Sequence, residues 1–563
     1  MTRRRGGLRG GGRIAALALA LLLPATGLSA PPRPAYAACA ADPDPPVCLV
    51  RVAAARNSQD GGDLLEGVVG AGAVDLVEPN QALLLKGARD LVNLPQRTLL
   101  SLGIETGPDA GVKTVGQAEG QRLLAAIALV TAARRNDHPF DDPTVQRLMQ
   151  RSGSSRGELA QLGLSIWWSV NAGGNLLGGP LNPAGLNDLY DAMLADPDIP
   201  TDSGLQLAGY AYEPFEKKAL ALLKKVAARP DLSADDKAGA ASQLARRGEW
   251  RLAQGLLDGG GRKAEHYDIP GVQEAVDLAR LADGFDAEAV RRVLDAQQDA
   301  SWGALDNPIW DPQVLISLEK AGARDALLQL GELYLSKARA GPEDGDARAI
   351  SYFYGLASEA FRRGGDLARA LAAAREGAMT FKRVIAQDAI LVDGLEGLDA
   401  KAAKLNGWGS EPLIALFRAG QPEEALKIGY LSGYDRYRLE TEAGRATDVD
   451  WVVASGDWTG IELLTLDLEN HPQPAAAGRL LDRLERATDL QAGASDYDWA
   501  PQLALIAALA GRPDRMQAYL TQAAARLDKA ESKDDAEAND YFALILAREW
   551  RKALILSAAR PGG

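Results

Sequence analysis

"LIALFRAGQPEEALKIG", residues 413–429, reads as a helix that stops, a turn, and a second helix. The apolar run ends at Ala419-Gly420, and an amphipathic helix begins at Glu423. Glycine just past a helix end takes the left-handed backbone conformation that other residues resist, so the chain reverses within a few residues. Ala425 follows five residues after Gly420, one turn into the second helix, where a small side chain lets the two backbones approach. The same step recurs at Gly248 and Ala253 in "LARRGEWRLAQGLL", at Gly284 and Ala289 in "LARLADGFDAEAVRRVL", and at Gly365 and Ala370 in "AFRRGGDLARALAAA". Looser copies pair Gly322 with Leu327, Gly456 with Ile461 and Gly511 with Met516. In "LILAREWRKALIL" the step reaches Ala553 with Arg548 in the glycine's place. Turn glycines from 248 to 511 lie 36, 38, 43, 55, 36 and 55 residues apart, a spacing that belongs to helical-repeat arrays.

These residues resemble the tetratricopeptide-repeat family, in which paired helices of about 34 residues carry a turn glycine and a small residue five positions on. The Gly284 unit adds Val293 and Ala296, and the Gly511 unit adds Leu520 and Ala523, where the family places a bulky and then a small residue in its second helix. The family's first-helix Trp, Leu-Gly and Tyr positions have no counterpart here. The resemblance covers residues 236–563. It implies an all-α protein built as an α-solenoid of antiparallel hairpins, with a binding role, and it assigns no site.

Composition agrees with an all-helical chain. Alanine is abundant and aromatic residues make up 6%, which favours close-packed helices over sheets. Residues 38–235 carry long amphipathic stretches such as "AEGQRLLAAIALVTAARR" but little repetition, and are expected to form an N-terminal helical region. Its boundary with the array at 236–563 falls at "RPDLSADDK", where a proline, an Asp/Ser cluster and a fresh helix start meet.

The first 37 residues have the layout of a secretory signal peptide. Arg3, Arg4, Arg5, Arg9 and Arg13 precede the apolar run Ile14 to Leu23, and Ala35-Tyr36-Ala37 is an A-x-A cleavage site. Leu28-Ser29-Ala30 is an earlier alternative. Export to the periplasm or the cell exterior makes a Cys39–Cys48 disulfide the expected use of the two cysteines. Closing that loop contributes about 2.5–3 kcal/mol on the chain-entropy view. The rival reading makes Cys39 a lipid-anchored residue. Removing residues 1–37, with six arginines and no acid, takes the net charge from −14 to −20, a balance that repels nucleic acid. No other apolar stretch reaches membrane-spanning length.

Candidates for chemistry are few. His138 stands beside Asp137, Asp141 and Asp142, which could hold a divalent cation, although Asp142-Pro143 also reads as a helix start. Residues 341–348 offer Glu343, Asp344 and Asp346 without the pattern of a calcium loop. The loop regions holding Trp167 with Trp168, and Trp302 with Trp310, are candidate ligand contacts, since aromatic rings stack on sugars or anchor peptides; the competing role is packing. No catalytic triad, cofactor-binding motif or metal motif stands out. The expected function is a periplasmic scaffold or adaptor for protein partners in the cell envelope. The alternative is a polysaccharide-active or glycan-binding protein with an α/α-toroid fold.

Overall fold

The computed structural model describes residues 35–56, 61–91, 117–172, 182–209, 216–299, 312–341, 347–387, 410–428, 431–454, 458–487, 496–529 and 533–559. Trp302, Trp310, Gly456, residues 342–346 and the leader up to residue 34 lie outside them. All secondary structure among the described residues is helical.

One turn is used repeatedly. At Gly420 (φ 83°) the glycine N–H donates to the Phe417 carbonyl and the Gln421 N–H donates to the Leu416 carbonyl, each at 3.0 Å. That paired closure, six residues back to one and five back to two, satisfies the carbonyls left open at a helix end. The same two bonds form at Gly248, Gly322, Gly365 and Gly511, all with φ between 69° and 79°. In each case the residue after the glycine also starts the next helix: its carbonyl accepts from the amide four residues on, at Ala253, Leu327, Ala370, Ala425 and Met516. Those five side chains are buried, so the second helix meets its neighbours through that position.

Two expected copies depart from this geometry, each for a local reason. Gly284 is extended (φ 164°) rather than left-handed. It is the first of three linker residues rather than the second, so two residues separate it from the next helix. Asp286, the last of them, caps that helix by accepting from the Ala289 amide at 2.8 Å, and Arg280 grips the Asp286 carboxylate. Ala289 is still buried. At Arg548 there is no turn, because the helix Lys533–Ala558 runs straight through it. Without a glycine to take the left-handed conformation, the chain does not reverse. Conversely, Gly72 and Gly444 close the same pair of bonds in segments that do not continue at once as an α-helix, Gly72 leading into the short 3-10 helix Val74–Leu76.

Successive helices pack on their neighbours along the chain. Ala234–Arg246 lies on Trp250–Asp258 and Ile269–Asp283, while Ala347–Arg363 lies on Arg324–Ala340, Leu367–Gln387 and Glu411–Arg418. Asp496–Leu509 lies on Pro513–Arg526 and on Lys533–Ala558. Side-chain ties span the same interval: Arg369 to Glu332 and Tyr334 to Gln297 are each 37 residues apart, Tyr434 to Asp467 is 33, and Gln502 to Thr465 is 37. Only Arg369–Glu332 is an exposed ion pair, a kind that contributes about 0.2–1 kcal/mol, and the other three are hydrogen bonds; the buried face holds the helices together and the ties set their register.

The chain then returns to its start. Lys533–Ala558 packs along Pro45–Arg56 and Gly61–Ala71. Close approach is possible because Gly67 and Gly70 present no side chain: a Cβ at Gly67 would stand 2.5 Å from Leu544 Cδ2, and one at Gly70 would stand 2.9 Å from Arg548 Cγ. One apolar cluster accordingly draws on residues from Tyr36 to Val276 and again from Tyr434 to Leu556, with Trp550 fully buried. Two smaller clusters run from Leu281 to Ala373 and from Ala374 to Leu439. The helix Ala234–Arg246 opens on a capping box, Ser233 with Asp236, and the large cluster runs continuously across it.

Candidate functional site

The two ends of the chain meet in a polar cluster tied by several hydrogen bonds. The short 3-10 helix Tyr36–Ala41 leads into Pro45–Arg56, and Cys39 and Cys48 are joined across that step with Cα atoms 5.4 Å apart. Tyr36 is fully buried, and its hydroxyl donates to Asp540 Oδ1 at 2.6 Å. The Tyr36 and Ala37 amides donate to the two oxygens of the Asp528 carboxylate at 2.9 and 2.8 Å. Arg56 reaches Asp540 at 3.0 Å and lays its guanidinium over the Tyr36 ring at 4.2 Å. Burial, reinforced by the Asp540 hydrogen bond, pushes the Tyr36 phenol above its ordinary range, so it stays a donor. A second tier lies along the same seam. Arg548 pairs with Glu66, and Arg551 pairs with Asp44 while donating to the Ala71 carbonyl at 2.8 Å.

Other buried carboxylates are also partnered. Asp277 holds Arg292 through two bonds, and Glu359 holds both Arg362 and Arg363. Burial pushes the Glu359 carboxyl up, but the arginines outweigh it and hold the group below its ordinary value. Glu469 pairs with Lys552 at 2.9 Å, both almost fully enclosed; burial raises the Glu469 carboxyl and Lys552 opposes the shift. Glu411 accepts from Ser351 Oγ at 2.7 Å, and burial pushes it up too. Glu359 and its two arginines share the helix Ala347–Arg363, whereas Asp277 and Arg292 bridge Ile269–Asp283 and Ala287–Asp299, and Glu469 and Lys552 bridge Trp458–Asn470 and Lys533–Ala558.

The candidates read from sequence fall in several places. Trp167 and Trp168 lie in the helix Arg156–Ala172 rather than in a loop, with ring centroids 4.3 Å apart. Trp167 is 1% exposed, so it offers no face to an external ligand, whereas Trp168 is half-buried. Asp142 spends its side chain on the Thr144 and Val145 amides as the cap of Pro143–Ser152. His266 is exposed, and Asp235 raises its pKa by hydrogen bonding. Among the described residues no group of three or more His, Cys, Asp or Glu is placed to hold a metal, and no helix is long and apolar enough to cross a membrane. Sequence reading missed Tyr36, Arg56, Asp528 and Asp540. Their partners lie nearly 500 residues apart, and Tyr36 sits inside the expected leader.

The chain matches no protein-family model, no curated protein and no solved structure at a significant level.

Proposed function

We propose that this protein is an exported helical-repeat scaffold, similar in design to tetratricopeptide-repeat proteins, that binds segments of other proteins in the cell envelope. The observation that carries the reading is the recurrent glycine turn with its buried fifth residue, joined by side-chain ties 33–37 residues apart. Stacked units of this kind present an extended surface, longer than a small metabolite needs, on which a peptide or helix can lie. The basic, apolar N-terminus and the Cys39–Cys48 disulfide support export to an oxidising compartment. The acidic balance suits a basic or neutral partner, with association that weakens as salt rises.

Chain closure favours a second reading, a glycan-active or glycan-binding protein whose hairpins form an α/α-toroid. The enclosed position of Trp167 argues against it, since a glycan cleft would need that ring free. Crosslinking in intact cells followed by mass spectrometry separates the two. Recovery of a specific envelope protein, lost at high salt, is expected. Recovery of none, together with oligosaccharide binding or cleavage by the purified chain, replaces the scaffold with the toroid enzyme.

A further inference from the structure

The A-x-A triplet Ala35-Tyr36-Ala37 invites cleavage after Ala37, which would discard Tyr36. Tyr36 is among the most completely enclosed large side chains described, and it belongs to the folded body rather than to a leader. Its ring is part of the large apolar cluster, and its hydroxyl bonds Asp540, itself 3% exposed. Its amide and that of Ala37 fill both oxygens of Asp528. Arg56 closes the group by pairing with Asp540 above the ring. A chain starting at Ala38 would lose the ring, the hydroxyl and both amides together. Asp528 would lose its two backbone donors, and the buried Asp540 would lose its phenol donor. Burying carboxylates with fewer donors is unfavourable, and an emptied aromatic site adds a cavity.

We infer that maturation cuts upstream of Tyr36, so that the working chain keeps Tyr36 as the first anchor of the clasp between its two ends. The earlier triplet Leu28-Ser29-Ala30, with a small residue at its last two positions, offers that cut. The Cys39–Cys48 bridge then follows directly behind the anchor and ties the Tyr36–Ala41 turn to the helix that packs on Lys533–Ala558. This inference rests on the exported reading and extends it to the position of the mature N-terminus.

Intact-mass measurement and N-terminal sequencing of the protein from its native cells test it. A start at or before Tyr36, with no free thiol, is the expected result. A start at Ala38, or a lipid-modified Cys39, overturns the inference while leaving export standing. An uncleaved chain retained in the cytoplasm overturns both. Tyr36→Phe and Tyr36→Ala in the full-length gene supply a second readout that needs no sequencing of the N-terminus, since only a chain that keeps residue 36 can respond. Both variants are expected to speed amide exchange around Asp528 and Asp540, with Tyr36→Ala the more severe. Unchanged exchange in Tyr36→Ala means that the clasp does not need the residue, and the inference falls.

Discussion

Replacing Gly420 and Gly284 in turn by alanine should move stability in opposite directions. A Cβ at either position meets nothing within 4 Å, so packing cancels and only backbone conformation differs. Gly420 sits at φ 83°, where an L-residue is strained by about 1–2 kcal/mol. Gly284 is extended at φ 164°, which alanine adopts freely. Alanine also narrows the unfolded ensemble, a gain of about 0.4–1 kcal/mol at any compatible site. Gly420→Ala should therefore destabilise its turn by about 1 kcal/mol net, and Gly284→Ala should leave its turn unchanged or up to about 1 kcal/mol more stable. Amide exchange reads this locally, which suits a long all-helical chain whose segments open separately. The Gly420 and Gln421 amides, bonded to Phe417 and Leu416, should exchange about fivefold faster in Gly420→Ala, since tenfold corresponds to about 1.4 kcal/mol. Equal protection in both variants, or faster exchange near Gly284 than near Gly420, would refute the conformational argument.

Two further perturbations test the buried ions. Lys552→Met leaves Glu469 enclosed without its cation and should cost about 3–5 kcal/mol, read from urea unfolding, whereas adding Glu469→Leu should recover most of the loss. A double variant no better than the single one would show that the pair is not the reason. Glu411 has a raised pKa in the folded protein, so between the ordinary carboxylate value of about 4.3 and its folded value the native state binds more protons than the unfolded one. Its contribution is therefore present at low pH and lost as pH rises through that window. Glu411→Gln, which can still accept from Ser351, should raise the thermal midpoint relative to wild type near pH 8, with the advantage vanishing by about pH 4. A difference independent of pH would contradict this.

The hairpin turns were legible because their cause is local. A glycine past an apolar run and a small residue five positions on describe Gly248, Gly365 and Gly420 without any knowledge of their neighbours. The same template misreads Gly284, since it ignores that this glycine opens the three-residue linker, with Asp286 rather than the residue after the glycine capping the next helix. It also finds a step at Arg548, because amphipathic spacing continues through a long helix as readily as it restarts after a turn. Gly72 and Gly444 escaped it because no α-helix follows their turns at once, although Val77 and Val449 occupy the fifth position and are buried. Chain closure was invisible for a different reason. Apolar periodicity shows that a face is buried but not against what, and the glycines at 67 and 70 look like poor helix residues until Leu544 and Arg548 lie across them. Trp167 illustrates the same limit, since a paired tryptophan reads alike as a ligand contact and as core.

The central claim is that the chain of helices returns to its own beginning. It is tested most directly by the distance between spin labels placed at Arg51→Cys, on the helix Pro45–Arg56, and Tyr541→Cys, on Lys533–Ala558, both exposed positions on helices that pack together. With the native cysteines held in their bridge, pulsed electron resonance should give one short, narrow distance distribution. A long or broad distribution, as from an open array whose ends lie apart, would contradict it.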